Sequence, residues 1–341
     1  MNLNSRNTIL FISLSVILVL AFFLQLLLGS VKIPFQDVIA ILTQKTATNE
    51  TWQNIILESR LPGALAALLA GAGLSISGLQ MQTLFRNPVA DPYVLGISAG
   101  AGLGVAIYIL AASAFGISPD VHLLSGWGII LAASCGAVLI FLINFIISFK
   151  LNDVVAILII GLMIGGGIIA LIEILQSFSS NEALKNYVLW TFGSFKYVDN
   201  VQVVYLAIIV IVAALLSFFL SKPLNLMLLG DTYATSSGLN IRTAKIMTVL
   251  CTSILAGSIT AFCGPIGFVG LAVPHVARSI FKTADHKILT PACAVTGAII
   301  CCLCNILASA PGSNYVLPVN AITSLLGAPV VVWIILKQRK I

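Results

Sequence analysis

Apolar runs separated by short polar breaks recur along the whole chain, at roughly 8–28, 61–83, 93–112, 124–148, 154–177, 201–221, 243–263, 267–279, 288–309 and 319–336. A bilayer core about 30 Å thick is crossed by about 20 residues of helix, so every run except the short 267–279 segment is long enough to span it. No run alternates apolar and polar positions as a half-buried strand does, and in lipid a helix satisfies its own backbone hydrogen bonds. The pattern predicts an all-α membrane protein of about ten transmembrane helices, a single domain over residues 1–341.

Composition points the same way. The 341 residues are 59% hydrophobic and 8% charged, with a mean hydropathy of +1.10, whereas soluble domains carry about 25% charged residues. Arg6 precedes the first run as in a signal peptide. That run is too long for a signal's apolar core and lacks a small-residue cleavage motif, so it is read as the first spanning helix.

Charge then orients the helices, because loops retained in the cytoplasm keep lysine and arginine. With the N-terminus inside, the cytoplasmic side collects Arg6, Arg86, Lys150, Lys222, Arg242, Lys245, Arg278, Lys282, Lys287, Lys337, Arg339 and Lys340, twelve of seventeen basic residues. Lys32, Lys45, Arg60, Lys185 and Lys196 face the other side. Both termini are therefore expected in the cytoplasm, and the net charge of +6 needs no nucleic-acid partner.

The seven cysteines all fall inside apolar segments without the spacing of a zinc or cluster site, and are read as packing residues. "LAGAGLSISG" (69–78) and "LAGSITAFCG" (255–264) echo one another, and each leads to an arginine and an Ala-Asp pair. This is compatible with a duplication of about 61–177 and 243–336, as in many transporters.

Three motifs carry candidate roles. "GISAG" (96–100) fits the G-x-S-x-G nucleophile elbow, but it lies in a helix-forming segment with only His122 nearby, and its small residues suit close helix packing. "FRNPVADPYVLG" (85–96) holds two Asx-Pro steps, Asn87-Pro88 and Asp91-Pro92, which impose extended or turn geometry after Arg86 and let Asp91 start the next helix. It reads as a rigid loop or as a shaped docking surface. In "KPLNLMLLGDTYATSSGLNIRTAK" (222–245), Asp231 is placed to cap a short helix that Gly238 ends. The apolar "NLMLL" ahead of it suggests a protein partner.

Two absences matter as much. The sequence contains no G-x-x-x-x-G-K-[ST] to cradle ATP phosphates. Glu173 is the one acidic residue well inside a predicted span, too little for a carboxylate cluster that couples ions. Any energy input is therefore expected from a partner, and the chain is not read as an enzyme.

"SRLPGALAALLAGAGLSISGLQMQTLFRNPVADPYVLGISAGAG", "LNLMLLGDTYATSSGLNIR", "GPIGFVGLAVPHVAR" and "LPVNAITSLLGAPVVVWIIL", in that order, resemble the FecCD family of ABC-importer permeases over nearly the whole chain. The resemblance implies a type II importer permease fold and a homodimer in the inner (cytoplasmic) membrane. It also implies two ATP-binding cassette subunits below, which use ATP and Mg, and a substrate-binding protein above. No cofactor or metal is then bound by this chain.

The same resemblance places an ATPase-coupling loop at Leu226, Leu228, Leu229, Gly230, Asp231 and Gly238. It implies that "GPIGFVGLAVPHVAR" is a turn and short helix, made close-fitting by Gly264, Gly267 and Gly270 and bent at Pro265 and Pro274. His275 and Arg278, three apart, then share one face near the cytoplasmic end. A metal site at His275 is the alternative, but no second His or Cys stands at ligand spacing.

Where the family reads R-L-P-R, this chain has Gly63 in place of the second arginine, and Val316 and Asn320 replace a family glutamate and glycine. Docking of the binding protein is then expected at Arg60, with Lys185 or Lys196 compensating. The pathway in relatives runs along helices five and ten, which here offer Gly165, Gly166, Gly167, Glu173, Gln176, Asn320, Thr323 and Ser324. The implied cargo is an iron chelate, ferric siderophore or haem, with cobalamin the alternative. Of other classes, a secondary transporter would work without ATP and depend on Glu173, and an intramembrane hydrolase would depend on Ser98.

Overall fold

The computed structural model describes residues 3–43, 49–111, 126–150, 154–309 and 317–338. Among these residues every regular element is helical. In chain order they are α1 (Leu3–Leu27), α2 (Phe35–Leu42) and α3 (Glu50–Asn54), the last continuing through a π-helical turn into α4 (Leu61–Leu84). Then come α5 (Ile97–Ala106), α6 (Trp127–Lys150), α7 (Val154–Ser177), α8 (Asn181–Thr191) and α9 (Asn200–Phe219). The chain ends with α10 (Ser221–Leu228), α11 (Asp231–Ser236), α12 (Ile241–Cys263), α13 (Val269–Phe281), α14 (His286–Ala308) and α15 (Val319–Gln338).

Seven described helices are long and apolar enough to cross a membrane, and three shorter apolar helices, at Ile97–Ala111, Val269–Phe281 and Val319–Val332, fall where the remaining apolar runs lie. The protein is a multi-pass membrane protein.

The bundle is built around α4, whose spanning window is 83% buried against 17% for α1. In lipid there is little hydrophobic gain in bringing helices together, so close backbone approach and hydrogen bonds do it instead. A Cβ on Gly71 would run into the Gly297 carbonyl of α14, and one on Gly78 into the Gly270 carbonyl of α13. Ser75 Oγ donates to the Cys293 carbonyl at 2.7 Å, fastening α4 to α14 between those crossings. "GISAG" is used in the same way. Gly100 and Gly104 seat α5 on Gly136 and Ala132 of α6, with Ser98 in the first turn of α5. His122 lies outside the described residues.

Three features differ from the sequence pattern. The second run extends back to Glu50 as one 35-residue stretch. The third is interrupted at Gly96, where a turn of 3-10 helix (Pro92–Leu95) gives way to α5. α8 lies between two apolar runs, starting where Ser180 Oγ accepts from the Ala183 amide. It is too short and polar for a 20-residue window to reveal.

Hydrogen bonds gather four of the basic residues at one end of the bundle. Arg86, Lys245, Arg278 and Arg6 bond around the 82–91, 225–231 and 281–286 segments. At the opposite end the Ser194 amide donates to the Cys263 carbonyl at 2.8 Å, and the Asn320 amide to the Phe192 carbonyl at 3.1 Å.

Candidate functional site

At the Arg86 end, α10 buries Leu224 and Met227 and turns Leu228 and Leu229 outward, 43% and 65% exposed. Tyr233 of α11 is exposed beside them. Gly230 separates the two helices at φ +111°, and a Cβ there would meet nothing within 4 Å, so backbone conformation rather than space calls for glycine. Leu226 is half-buried, and Gly238 closes α11.

Asp231 does not cap α11 as its spacing suggested. It is the first residue of the helix, and its carboxylate pairs with Arg86 and, at 3.2 Å, with Lys245 Nζ. Arg86 Nη2 also donates to the Met227 carbonyl at 3.2 Å. Opposite charges are within reach on both sides of the carboxylate, and pairing with them displaces the capping role.

His275 and Arg278 do share one side of α13. His275 Nε2 lies 2.7 Å from the Pro88 carbonyl, and Arg278 Nη1 donates to Gln82 Oε1 at 2.6 Å. Gln82 Nε2 in turn donates to the Leu271 carbonyl at 3.0 Å. Both side chains therefore grip the 82–88 segment. At its end and just beyond, Asn87 Oδ1 accepts from the Val89 amide at 3.1 Å, and Asp91 Oδ1 from the Tyr93 amide at 2.9 Å, starting the Pro92–Leu95 turn. Burial pushes the Asp91 carboxyl up to about 6, against the downward pull of the Tyr93 amide. Among the described residues no group of three or more His, Cys, Asp or Glu could hold a metal ion.

The 264–268 turn joins α12 to α13. Gly264 has φ +73° and sits so close to α8 that a Cβ would lie 2.7 Å from the Trp190 carbonyl. The Gly267 amide donates to Asn320 Oδ1 at 2.9 Å, so the asparagine that stands where the family has glycine ties this turn to α15. Pro265 lies in the turn and Pro274 inside α13.

On α7, Gly166 and Gly167 open onto free space and Gly165 faces Gly96. Glu173 is exposed and Gln176 half-buried further along. On α15, Thr323 and Ser324 donate to the Asn320 carbonyl at 3.1 and 2.6 Å, and Leu325 is 75% exposed. The two hydroxyls of α15 are thus held within the helix's first turns, while α7 presents the more open face. Val316 lies outside the described residues.

The sequence profile of the FecCD transport family matches residues 17–337. The chain belongs to the FecCD transport family. It is 36% identical over 296 residues to the hemin transport system permease protein of Yersinia pestis, covering 86% of this chain and 87% of that one. It is 35% identical over 335 residues to the vitamin B12 import system permease protein of Salmonella typhi, covering 98% and 97%. A solved structure described as an inward-facing conformation of a putative metal-chelate type ABC transporter superposes with a TM-score of 0.83 at 27% identity, covering 97% of this chain and 99% of that one.

In this FecCD chain the end opposite Arg86 holds the three cations expected to meet a binding protein. Arg60 is turned inward. Its Nη1 donates to the Leu26 and Leu27 carbonyls at 2.7 and 3.0 Å and its Nη2 to the Val31 carbonyl, so the guanidinium closes the C-terminal end of α1. Lys185 and Lys196 are exposed. Partial desolvation of its ammonium, and then the Arg60 charge, hold Lys196 below its usual range. At Gly63 a Cβ would lie 3.3 Å from the Phe195 carbonyl, which suits a glycine there.

Several residues that assemble the Arg86 end carried no local signal of their role. Asn225, Thr83 and Gln82 are single polar side chains in apolar runs, and their partners are 60 to 203 positions away in sequence, as for Asn225 with Asp285 (60), Thr83 with His286 (203) and Gln82 with Arg278 (196). Asp285 alone carried a local cue, an Asx residue directly before an apolar helix.

Proposed function

We propose that this FecCD chain is the permease subunit of an ATP-driven importer, working as a homodimer in the cytoplasmic membrane with the Arg86 end inside. The observation that carries this reading is the α10–α11 element, whose exposed apolar tip of Leu228, Leu229 and Tyr233 is anchored from behind by Asp231. An apolar tip on a polar-anchored element suits a protein partner that moves it. Two ATP-binding cassette subunits, using ATP and Mg, are that partner. Displacement of the element on ATP binding is a bistable rigid-body change that the close-packed bundle can transmit.

At the opposite end a substrate-binding protein docks, with Lys185 and Lys196 as the available cations. The pathway follows the open face of α7 beside α15, past Gly166, Gly167 and Glu173. The cargo is an iron chelate, ferric siderophore or haem. The hemin permease relative and the metal-chelate structural neighbour support that choice, and the vitamin B12 relative keeps cobalamin as the second reading.

Uptake of labelled ferric siderophore, with haemin and cobalamin as competitors, in cells with and without the gene tests the cargo. Loss of iron uptake with competition only by iron chelates is the expected result. Unchanged iron uptake with loss of cobalamin accumulation would replace iron chelate by cobalamin.

A further inference from the structure

One side chain at the Arg86 end joins α10 to the start of α14 and, through His286, to α4. Asn225, half-buried on α10, donates from Nδ2 to Asp285 Oδ1 at 2.6 Å. Its Oδ1 accepts from the His286 amide at 2.9 Å and lies 2.8 Å from the His286 ring nitrogen Nδ1. The carboxylate fixes which end of the amide is nitrogen, so the oxygen must face His286 and Nδ1 carries a proton. Asp285 is the N-cap of α14, its carboxylate also accepting from the Lys287 amide at 2.9 Å. His286 is 1% exposed, and its Nε2 lies 2.8 Å from Thr83 Oγ1 in the last turn of α4.

A continuous set of polar contacts thus runs from α10, through the first turn of α14, into the last turn of α4. The second anchor of the element, Asp231 on Arg86, ends on the same stretch of chain just past α4. α4 cannot slide independently of α14 and α13, because the Gly71–Gly297 and Gly78–Gly270 crossings and the Ser75–Cys293 bond lock the backbones together. Pulling α10 away from His286 would strand the buried Nδ1 proton of the imidazole, which is costly where water cannot reach. Moving α10 and the α4–α14 pair together avoids that cost.

We propose that Asn225 is a positioning residue for coupling, latching α10 through the buried His286 to the last turn of α4 so that displacement of the element reaches the helix bundle. This rests on the reading of α10 and α11 as the part the ATPase subunits contact. The test is hydrogen–deuterium exchange of the assembled permease–ATPase complex, without nucleotide and trapped with ATP and vanadate, followed in peptides covering residues 79–86.

Wild-type complex shows a nucleotide-dependent change there. Asn225→Ala keeps its ATPase subunits through purification and loses at least about fivefold of that change. The exchanged pair Asn225→Asp with Asp285→Asn rebuilds a carboxylate that accepts from His286 and an amide that donates to it, and restores the response. A wild-type response in Asn225→Ala, or none in wild type, overturns the latch. Loss of the ATPase subunits from Asn225→Ala also overturns it, by making Asn225 part of the contact itself. Leu229→Glu separates the two readings. It should shed the ATPase subunits, and a Leu229→Glu complex that holds them would refute the contact reading instead.

Discussion

The Arg86 guanidinium and the Asp231 carboxylate meet across 145 positions of sequence and tie the loop after α4 to the start of α11. Their side chains are 50% and 45% exposed, so the pair adds little to folding, on the order of 0–1 kcal/mol. Its consequence is geometric, since it fixes the angle at which the exposed tip leaves the bundle. Asp231→Asn is expected to leave thermal unfolding in detergent nearly unchanged while ATP-driven uptake falls. Exchanging the charges, Arg86→Asp with Asp231→Arg, should recover part of the uptake. An unfolding temperature that drops in step with uptake would assign the pair to stability instead.

The glycines divide into two kinds with opposite expected responses. Gly71 is pressed against Gly297, and overpacking a close crossing costs about 1–3 kcal/mol or more, so Gly71→Leu should lower the unfolding temperature sharply. Gly166 has nothing within 4 Å of where a Cβ would stand. Gly166→Ala should be neutral or stabilising by up to about 1 kcal/mol, as expected for alanine in a helix interior. Its effect on uptake reports whether α7 lines the pathway. Comparing both variants by thermal unfolding and uptake checks the division.

The helical fold and the family were legible in the sequence because both rest on local signals. Apolar runs mark the long spans, and the four ordered motifs carry the resemblance. Residues whose role depends on distant partners were not legible. Arg60 reads as an outer cation, and only its approach to the last carbonyls of α1 shows that it faces inward. Asp231 reads as a helix cap because Arg86 and Lys245 reach it only in three dimensions. Asn225 falls inside a family motif, but nothing local marks its role, since a lone asparagine in an apolar stretch is compatible with many surroundings.

Arg60 and Lys196 should now behave differently. Arg60→Ala removes three donations to backbone carbonyls and should cost about 1–3 kcal/mol of stability, largely independent of salt. Lys196→Glu should leave stability alone and weaken binding-protein docking, with the loss shrinking as salt rises because exposed charges are screened. Unfolding curves and binding isotherms at low and high salt distinguish them. Salt-sensitive docking loss in Arg60→Ala with intact stability would reverse the assignment.

Asp91 gives a pH dependence of definite sign. Its carboxyl titrates near 6 in the folded protein against 3.8 ordinarily, so between those values the folded state holds the proton and the unfolded state does not. Stability from this group is therefore fully present below about pH 4 and declines as pH rises toward about 6. Asp91→Asn keeps an acceptor for the Tyr93 amide but no longer titrates. Measured by thermal unfolding, wild type should lose stability relative to Asp91→Asn by about 1 kcal/mol or more between pH 5 and pH 7. Parallel pH profiles for the two proteins would show that Asp91 titrates normally.

Chelate uptake into proteoliposomes, with the ATPase subunits present or omitted and with Leu228→Glu beside wild type, tests the central claim most directly. The apolar tip reading predicts uptake only with the ATPase subunits and ATP, and its loss in Leu228→Glu although the variant inserts and folds normally. Uptake that persists without the ATPase subunits, or is unchanged in Leu228→Glu, would contradict an ATP-driven permease coupled through α10 and α11.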